Sequence, residues 1–217
     1  MGSIGLILYC VRHGESTYNV EGRIQGQSER PLLSGLGRRQ SEAAAAALAG
    51  EPIEAIYASP LRRALETAEI ISRAVGRAIR IDPRLKEIDV GIFQDQLRAD
   101  LEEDHAQALA RWLSGGPDFV IPGGESRRQL AGRGRAAFEE IRRSGHEQAV
   151  VVAHGGVLVS TIKSLLGIPL PDPPLALENC SISTLAWHGD GRVELLALDR
   201  VEHLAAVGFG GAGDLAV

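Results

Sequence analysis

Three short clusters of histidine, arginine and glycine each follow an apolar stretch of this chain. They are RHG at 12–14, RR at 62–63 and HGG at 154–156. Arginine presents paired N–H donors that match phosphate oxygens, histidine is a covalent nucleophile, and glycine lets the backbone approach a ligand closely. Each residue type is common in proteins, so only the coincidence of the three clusters is informative. Together they predict a phosphate-binding site with a histidine as its candidate nucleophile.

The arginine pair lies where a negative ligand is favoured. Ser59 is a natural N-cap and Pro60 a natural first residue of a helix, which places Arg62 and Arg63 in the first helical turn. A cation at that place opposes the helix dipole unless an anion binds there too. The sequence therefore predicts that Arg62 or Arg63 has an anionic ligand.

Phosphate monoesters are so inert that several groups must share the catalytic task. Enzymes accelerate their hydrolysis by up to about 10²¹-fold, whereas one well-placed donor contributes roughly 3–4 kcal/mol. Metal ions often take part, but the chain has no EF-hand loop, HExxH motif or P-loop lysine motif. A cluster of arginine and histidine can replace the metal, so we predict no metal ion and no other cofactor.

These clusters need a scaffold that brings them together. Apolar runs predict strands, and apolar residues at helical spacing predict helices. The predicted strands are 6–11, 54–58, 78–81, 148–153, 181–187 and 192–198, and the predicted helices are 34–49, 60–75, 98–113, 126–143 and 155–166. This order favours an α/β fold, a three-layer α/β/α sandwich with a mostly parallel central sheet. Ligands bind at the carboxyl ends of such strands, where the three clusters lie.

The bulk properties narrow the class of protein. The chain has 217 residues and a net charge of −5, with 44% hydrophobic residues. Its length and the lack of a linker predict one domain over residues 1–217, with a lid-like insertion at about 92–125. The acidic balance argues against a nucleic-acid partner, and no apolar run approaches the roughly 18 residues that span a bilayer. We expect a cytoplasmic protein that acts on a small phosphorylated metabolite, and the apolar tail from Ala205 could pack in a homodimer.

The clusters also resemble the motifs of a known family. The segment Arg12-His13-Gly14-Glu15-Ser16 is similar to the signature of the histidine phosphatase superfamily, which includes the cofactor-dependent phosphoglycerate mutases. Further similar segments follow in the family's order: Asn19, 23–26, 31–37, 59–64, 85–87 with Gly91, 123–126 and 152–156. The resemblance covers nearly the whole chain and implies a phosphoglycerate mutase-like fold.

The resemblance implies a role for each of five residues. His13 attacks phosphorus and carries a phosphohistidine, while Arg12, Arg62 and His154 hold the phosphoryl oxygens. Glu87 protonates the leaving oxygen and then helps to deprotonate water. Its role comes from the resemblance, because spacing alone does not select it over neighbouring aspartates. The residues expected to bind phosphate or substrate are Gly14, Ser16, Asn19, Arg23, Gln25, Gly26 and Gly155.

Three functions are compatible with these motifs. The short interval between Glu87 and His154 resembles the compact phosphatase branch and favours a phosphomonoester hydrolase. A phosphoglycerate mutase is the alternative; it must exclude water from the phosphohistidine, whereas a phosphatase must admit water. A regulatory domain that only binds phospholigands is the least favoured, because such a domain needs no general acid, and here His13, Glu87 and His154 are all present.

Overall fold

A six-stranded sheet forms the centre of the fold. The structure is a computed structural model that describes residues 3–170 and 175–209. The strands are β1 (Ile4–Arg12), β2 (Ala55–Ala58), β3 (Ile79–Ile81), β4 (Gln148–Ala153), β5 (Ile182–His188) and β6 (Val193–Arg200). Their order across the sheet is β3-β2-β4-β1-β5-β6. The first four are parallel, whereas β5 is antiparallel to both β1 and β6.

The central strands are apolar throughout because both faces of the sheet are covered. In β1, Leu6, Leu8 and Cys10 pack into one core, whereas Val11 packs into the other. The residues of β4 divide between the two cores in the same alternating way. This period of two over a continuous apolar run is typical of parallel strands between two helical layers.

Seven helices lie in the described ranges. They are α1 (Thr17–Glu21), α2 (Gly35–Leu48), α3 (Arg62–Val75), α4 (Leu101–Asp104), α5 (Ala106–Ser114), α6 (Arg127–Arg143) and α7 (Gly155–Leu166). Leu48 of α2 and Ile71 of α3 pack into one core, and Phe138 of α6 and Val157 of α7 pack into the other. Each such buried side chain contributes about 1.5–3 kcal/mol of transfer free energy. The predicted three-layer α/β/α architecture with a mostly parallel sheet is confirmed.

Two predicted helix boundaries are wrong. Helix α3 begins at Arg62 after Leu61, and neither Ser59 nor Pro60 has the predicted position. The hydroxyl of Ser59 is engaged elsewhere, 2.8 Å from a nitrogen of His154. The predicted helix 98–113 is divided into α4 and α5 at His105, whose φ is −137°.

The segment between the short 3₁₀ turn Gly91–Phe93 and α6 leaves the sheet and contains α4 and α5. This segment matches the place of the predicted insertion at about 92–125. Leu101, Trp112 and Ile121 are buried and pack into the core on the α6–α7 side. Its role as a lid stays a prediction.

Two further predictions concern membrane-spanning segments and the apolar tail from Ala205. Within the residues that the structure describes, no helix has the length and apolar character needed to cross a membrane. The start of the predicted apolar tail packs on its own chain, since the Gly208 carbonyl accepts a hydrogen bond from Gln40. The rest of the tail, 210–217, lies outside the described residues.

Candidate active site

His13 follows β1 at the carboxyl end of the parallel strands. Its backbone N–H donates to the Ala153 carbonyl at 2.9 Å, so the residue lies beside the end of β4. The imidazole is fully buried, and its Nδ1 is 2.8 Å from the Gly14 carbonyl. A carbonyl can only accept, so Nδ1 carries the proton and the lone pair of the neutral ring is on Nε2. This is the tautomer that a nucleophilic histidine requires.

A loop before β5 holds the end of β1 in place. The Asn179 side chain donates to the His13 carbonyl at 3.0 Å, and the Cys180 N–H donates to the Arg12 and His13 carbonyls at 3.1 and 3.2 Å. The Arg12 guanidinium donates to the Leu177 carbonyl. Sequence analysis missed Asn179, since the residue lies far from every motif along the chain and is buried only by the fold.

Gly14 allows two backbone segments to touch. A Cβ at this position would lie 2.4 Å from the carbonyl oxygen of Gly37 in α2, a distance that real side chains do not reach. The Gly14 N–H donates to Thr67 Oγ1 of α3 at 3.1 Å. The structure shows a close packing position at Gly14 that joins β1 to α2 and α3, and its contact with phosphate stays a prediction.

The structure brings Arg63, and not the predicted Arg62, into the interior. The Arg62 side chain is exposed, whereas Arg63 is fully buried. Arg63 donates from Nη1 to the Ser28 carbonyl at 3.0 Å and from Nη2 to the Gly26 carbonyl at 2.8 Å. The difference follows from the helix start, because consecutive helical residues point about 100° apart and only one of them can face inward.

Of the predicted residues Ser16, Asn19, Arg23 and Gln25, three lie together and Arg23 lies apart. Ser16 caps α1 in a reciprocal arrangement with Asn19, and the Ser16 hydroxyl is 2.8 Å from Gln25 Oε1. All three are buried. Arg23 instead pairs with Glu21 at 2.7 Å and donates to the Asp95 carbonyl at 3.0 Å. Arg23 therefore links α1 to the base of the insertion.

Glu87 lies against the first turn of α7. Its Oε2 accepts from the Gly156 N–H at 2.9 Å, and its Oε1 accepts from the Val157 N–H at 3.0 Å. The carboxyl is buried, and α7 begins directly after His154. Asp82 by contrast pairs with Arg84, and Asp89 accepts from the Gly91 N–H. The fold thus selects Glu87 among the three acids that spacing left equivalent.

Two residues that sequence analysis missed hold the Glu87 loop. Arg133 of α6 donates to the carbonyls of Arg84 and Lys86, each at 2.6 Å, and to the Glu87 carbonyl at 2.8 Å. It also pairs with Glu125 at 2.6 Å. Glu125 lies in segment 123–126, which resembles a motif of the family, but the sequence alone does not show that Glu125 pairs with Arg133.

His154 stands between β4 and α7, and its ring centroid is 5.1 Å from that of His13. Its Nε2 is 2.8 Å from the Ser59 hydroxyl. Complete burial lowers the pKa of His154 well below its usual 6.5, and the nearby Arg63 and His13 lower it further by smaller amounts. The ring is therefore neutral. Gly155 begins α7 and lies beside the Arg12 side chain: a Cβ added at Gly155 would be 3.6 Å from Arg12 Nε.

The arrangement combines a nucleophile, fixed donors and a carboxyl group at one edge of the sheet. Arg12, Arg63 and His154 supply positive charge or N–H donors around His13, and Glu87 lies beside the same helix start. No group of three or more potential metal ligands occurs among residues 3–170 and 175–209. Such a set can bind a phosphoryl group and transfer it.

Comparisons with known proteins show the family of this chain and its relatives in fold. The family model of the histidine phosphatase superfamily (branch 1) matches residues 8–199. A protein of Proteus mirabilis named probable phosphoglycerate mutase GpmB is 37% identical over 209 residues, which is 93% of this chain and 96% of that protein. A mycobacterial glucosyl-3-phosphoglycerate phosphatase in complex with VO3 has a TM-score of 0.83 and 32% identity, over 90% of this chain and 100% of that one. Bacillus stearothermophilus YhfR has a TM-score of 0.85 and 28% identity, over 92% and 99%.

Proposed function

The chain belongs to the histidine phosphatase superfamily, and from that premise we propose that it hydrolyses a phosphomonoester of a small metabolite through a phosphohistidine on His13, without a metal ion. One observation supports this most directly. The Nδ1–H of His13 donates to the Gly14 carbonyl at 2.8 Å, which leaves the lone pair on Nε2, and the ring centroid lies 5.1 Å from that of His154. A histidine with a merely structural role does not need that combination.

The first step transfers the phosphoryl group to His13. Nε2 forms a bond to phosphorus while the bond from phosphorus to the ester oxygen breaks. Arg12, Arg63 and His154 donate to the other phosphoryl oxygens, where the transition state places its charge. Glu87 in its acid form gives its proton to the departing oxygen, which leaves as an alcohol.

The second step returns the enzyme to its first state. Glu87 is now a carboxylate and takes a proton from water as the water oxygen attacks phosphorus. The bond from phosphorus to Nε2 breaks, and inorganic phosphate leaves. His13 and Glu87 end in the protonation states in which they began, so the cycle balances.

A phosphoglycerate mutase is the second candidate, because a relative with that printed name is 37% identical over 93% of this chain. The mutase would use the same phosphohistidine but return the phosphoryl group to a second hydroxyl of the bound product. The difference lies in whether the segment with α4 and α5 keeps water from His13.

One assay separates these activities. Phosphate release is measured from a panel of phosphomonoesters in excess EDTA, with the isomerisation of 3-phosphoglycerate followed in parallel and His13→Ala as the inactive control. Release above that control supports the hydrolase. Isomerisation without release assigns the mutase. Silence on both, together with phosphoester binding that survives in His13→Ala, would indicate a domain that only binds phosphoesters.

A further inference from the structure

Ser59 contacts His154 and has no role in the reaction proposed above. The residue follows β2 and lies beside the end of β4, where its N–H donates to the Val152 carbonyl at 3.0 Å. Its hydroxyl oxygen is 2.8 Å from Nε2 of His154, and both residues are fully buried. Because burial removes water as an alternative partner, the proton positions in this pair can be worked out from the neighbouring atoms.

The Ser59 hydroxyl has one proton, and one acceptor is available for it. The Leu61 N–H donates to Ser59 Oγ at 3.3 Å, which uses one lone pair of that oxygen. Among the described residues, Nε2 of His154 is the remaining polar atom hydrogen-bonded to Ser59 Oγ. If the hydroxyl donates to Nε2, every polar group of Ser59 is satisfied and the proton of the neutral imidazole is on Nδ1.

The opposite tautomer leaves more groups unsatisfied. With the proton on Nε2, Ser59 Oγ would accept twice, and its own proton would be buried without an acceptor. The lone pair of His154 would then be on Nδ1, which has no hydrogen-bond partner in residues 3–170 and 175–209. A buried polar group without a partner costs about 1–3 kcal/mol. The Nδ1–H tautomer avoids the orphaned hydroxyl and presents a donor instead of a lone pair.

We infer that Ser59 holds His154 as the Nδ1–H tautomer and thereby presents a neutral N–H donor to a phosphoryl oxygen in front of His13. Ser59 is then a positioning residue that acts through His154. The inference rests on the proposed function for its purpose, but the tautomer itself is a property of the unliganded protein.

The tautomer matters because His154 is neutral. Burial, as the largest cause, and the nearby Arg63, Arg133 and Arg12 hold its pKa well below 6.5. An imidazolium would donate from both nitrogens whatever Ser59 did, whereas a neutral ring has a single N–H. The two histidines thus share a tautomer and differ in use: at His13 the Nδ1–H donates to a carbonyl, and at His154 Nε2 accepts from a hydroxyl.

The test joins a spectroscopic measurement to kinetics. Nitrogen-15 NMR of the histidine side chains in the unliganded protein reports which ring nitrogen has the proton, with His154→Gln used to assign the signals. The variants are Ser59→Ala, which removes the hydroxyl, and Ser59→Thr, which keeps it. Ser160→Ala is the matched control: its hydroxyl is buried in α7 and lacks a hydrogen-bond partner in the described residues.

We expect the Nδ1–H form of His154 in the wild type and in Ser59→Thr, and a mixture of tautomers in Ser59→Ala. We also expect kcat/KM to fall severalfold in Ser59→Ala, because only some of the His154 rings keep the Nδ1–H form, and this loss is smaller than the roughly 10²–10³-fold that removal of a transition-state donor costs. Ser160→Ala should keep wild-type turnover. An Nε2–H signal in the wild type, or an unchanged tautomer in Ser59→Ala, would overturn the inference even if phosphate is released. Absent turnover with the expected tautomers would instead count against the proposed function.

Discussion

Separate replacement of two adjacent arginines tests whether the buried one, or the one that the family resemblance implied, contributes to the site. Arg62 and Arg63 are equivalent in the sequence, but Arg62 is exposed and Arg63 is fully buried. We predict that Arg62→Ala changes kcat/KM by less than about twofold, since a solvated cation on a surface contributes little. We predict that Arg63→Ala lowers kcat/KM by about 10²–10³-fold, the effect of one lost donor to the transition-state charge.

The size of the second effect has a structural and a catalytic part. Arg63 donates to two buried carbonyls, those of Ser28 at 3.0 Å and Gly26 at 2.8 Å. Hydrogen bonds that involve a charged group contribute about 1.5–3 kcal/mol each, so Arg63→Ala should also lose about 3 kcal/mol or more of unfolding free energy. Urea unfolding of both variants measures that loss, and kinetics are then taken only where each variant is fully folded.

Two further variants keep the prediction testable if Arg63→Ala folds poorly. Arg63→Lys keeps the charge but loses the paired N–H geometry, so a large part of the rate loss should remain. Added guanidinium at low concentration should restore part of the activity of Arg63→Ala and none of that of a variant at Arg62. The reasoning is refuted if Arg62→Ala shows the large loss in kcat/KM while a folded Arg63 variant keeps wild-type turnover.

Four other outcomes follow from the structure. Phosphate release should persist in excess EDTA, and loss on chelation with recovery on adding Mg²⁺ or Zn²⁺ would contradict metal independence. Gly14→Ala should lower the urea midpoint or prevent folding, because its Cβ would lie 2.4 Å from the Gly37 carbonyl oxygen; an unchanged midpoint would show that the backbone shifts freely. Because the folded pKa of His154 is below 6.5, the unfolded chain takes up this proton first, so the unfolding free energy should fall by up to about 1.4 kcal/mol per unit as pH drops below 6.5. That part of the slope should vanish in His154→Gln, and an unchanged slope would argue for a charged ring. Arg133→Met should cost about 3 kcal/mol of unfolding free energy and lower kcat by releasing the Glu87 loop. Arg127→Met is the buried comparison: it loses one hydrogen bond to the Trp112 carbonyl, 3.1 Å, and the stacking on the Trp112 ring, so it should cost about 1.5–3 kcal/mol while kcat stays unchanged.

Much of the fold could be predicted because its signals are local. Continuous apolar runs predicted the central strands, and β4 spans the predicted 148–153. Ser126 and Ser34 predicted the starts of α6 and α2, where their side chains accept from backbone N–H groups of the first turn. A capping residue acts on atoms within three positions of itself, so its effect is readable from the sequence alone.

The same rule failed at Ser59 for a reason that lies outside its own segment. Its hydroxyl binds His154, which is distant in sequence and adjacent in space. Helix α3 begins at Arg62 after Leu61, and this start decides which arginine faces inward. A local rule cannot detect a competitor that arrives from another strand.

The sequence by itself determined the α/β class, the two histidines at strand ends and the superfamily, because these depend on periodicity and on motifs written in adjacent residues. The tertiary structure decided which of two arginines is buried, which of three acids meets α7, and which distant groups hold them. Arg133 and Asn179 make their contacts with the Glu87 loop and with His13 only in the folded chain. Side-chain direction depends on where a helix starts and on long-range hydrogen bonds, and neither is encoded in the spacing of neighbouring residues.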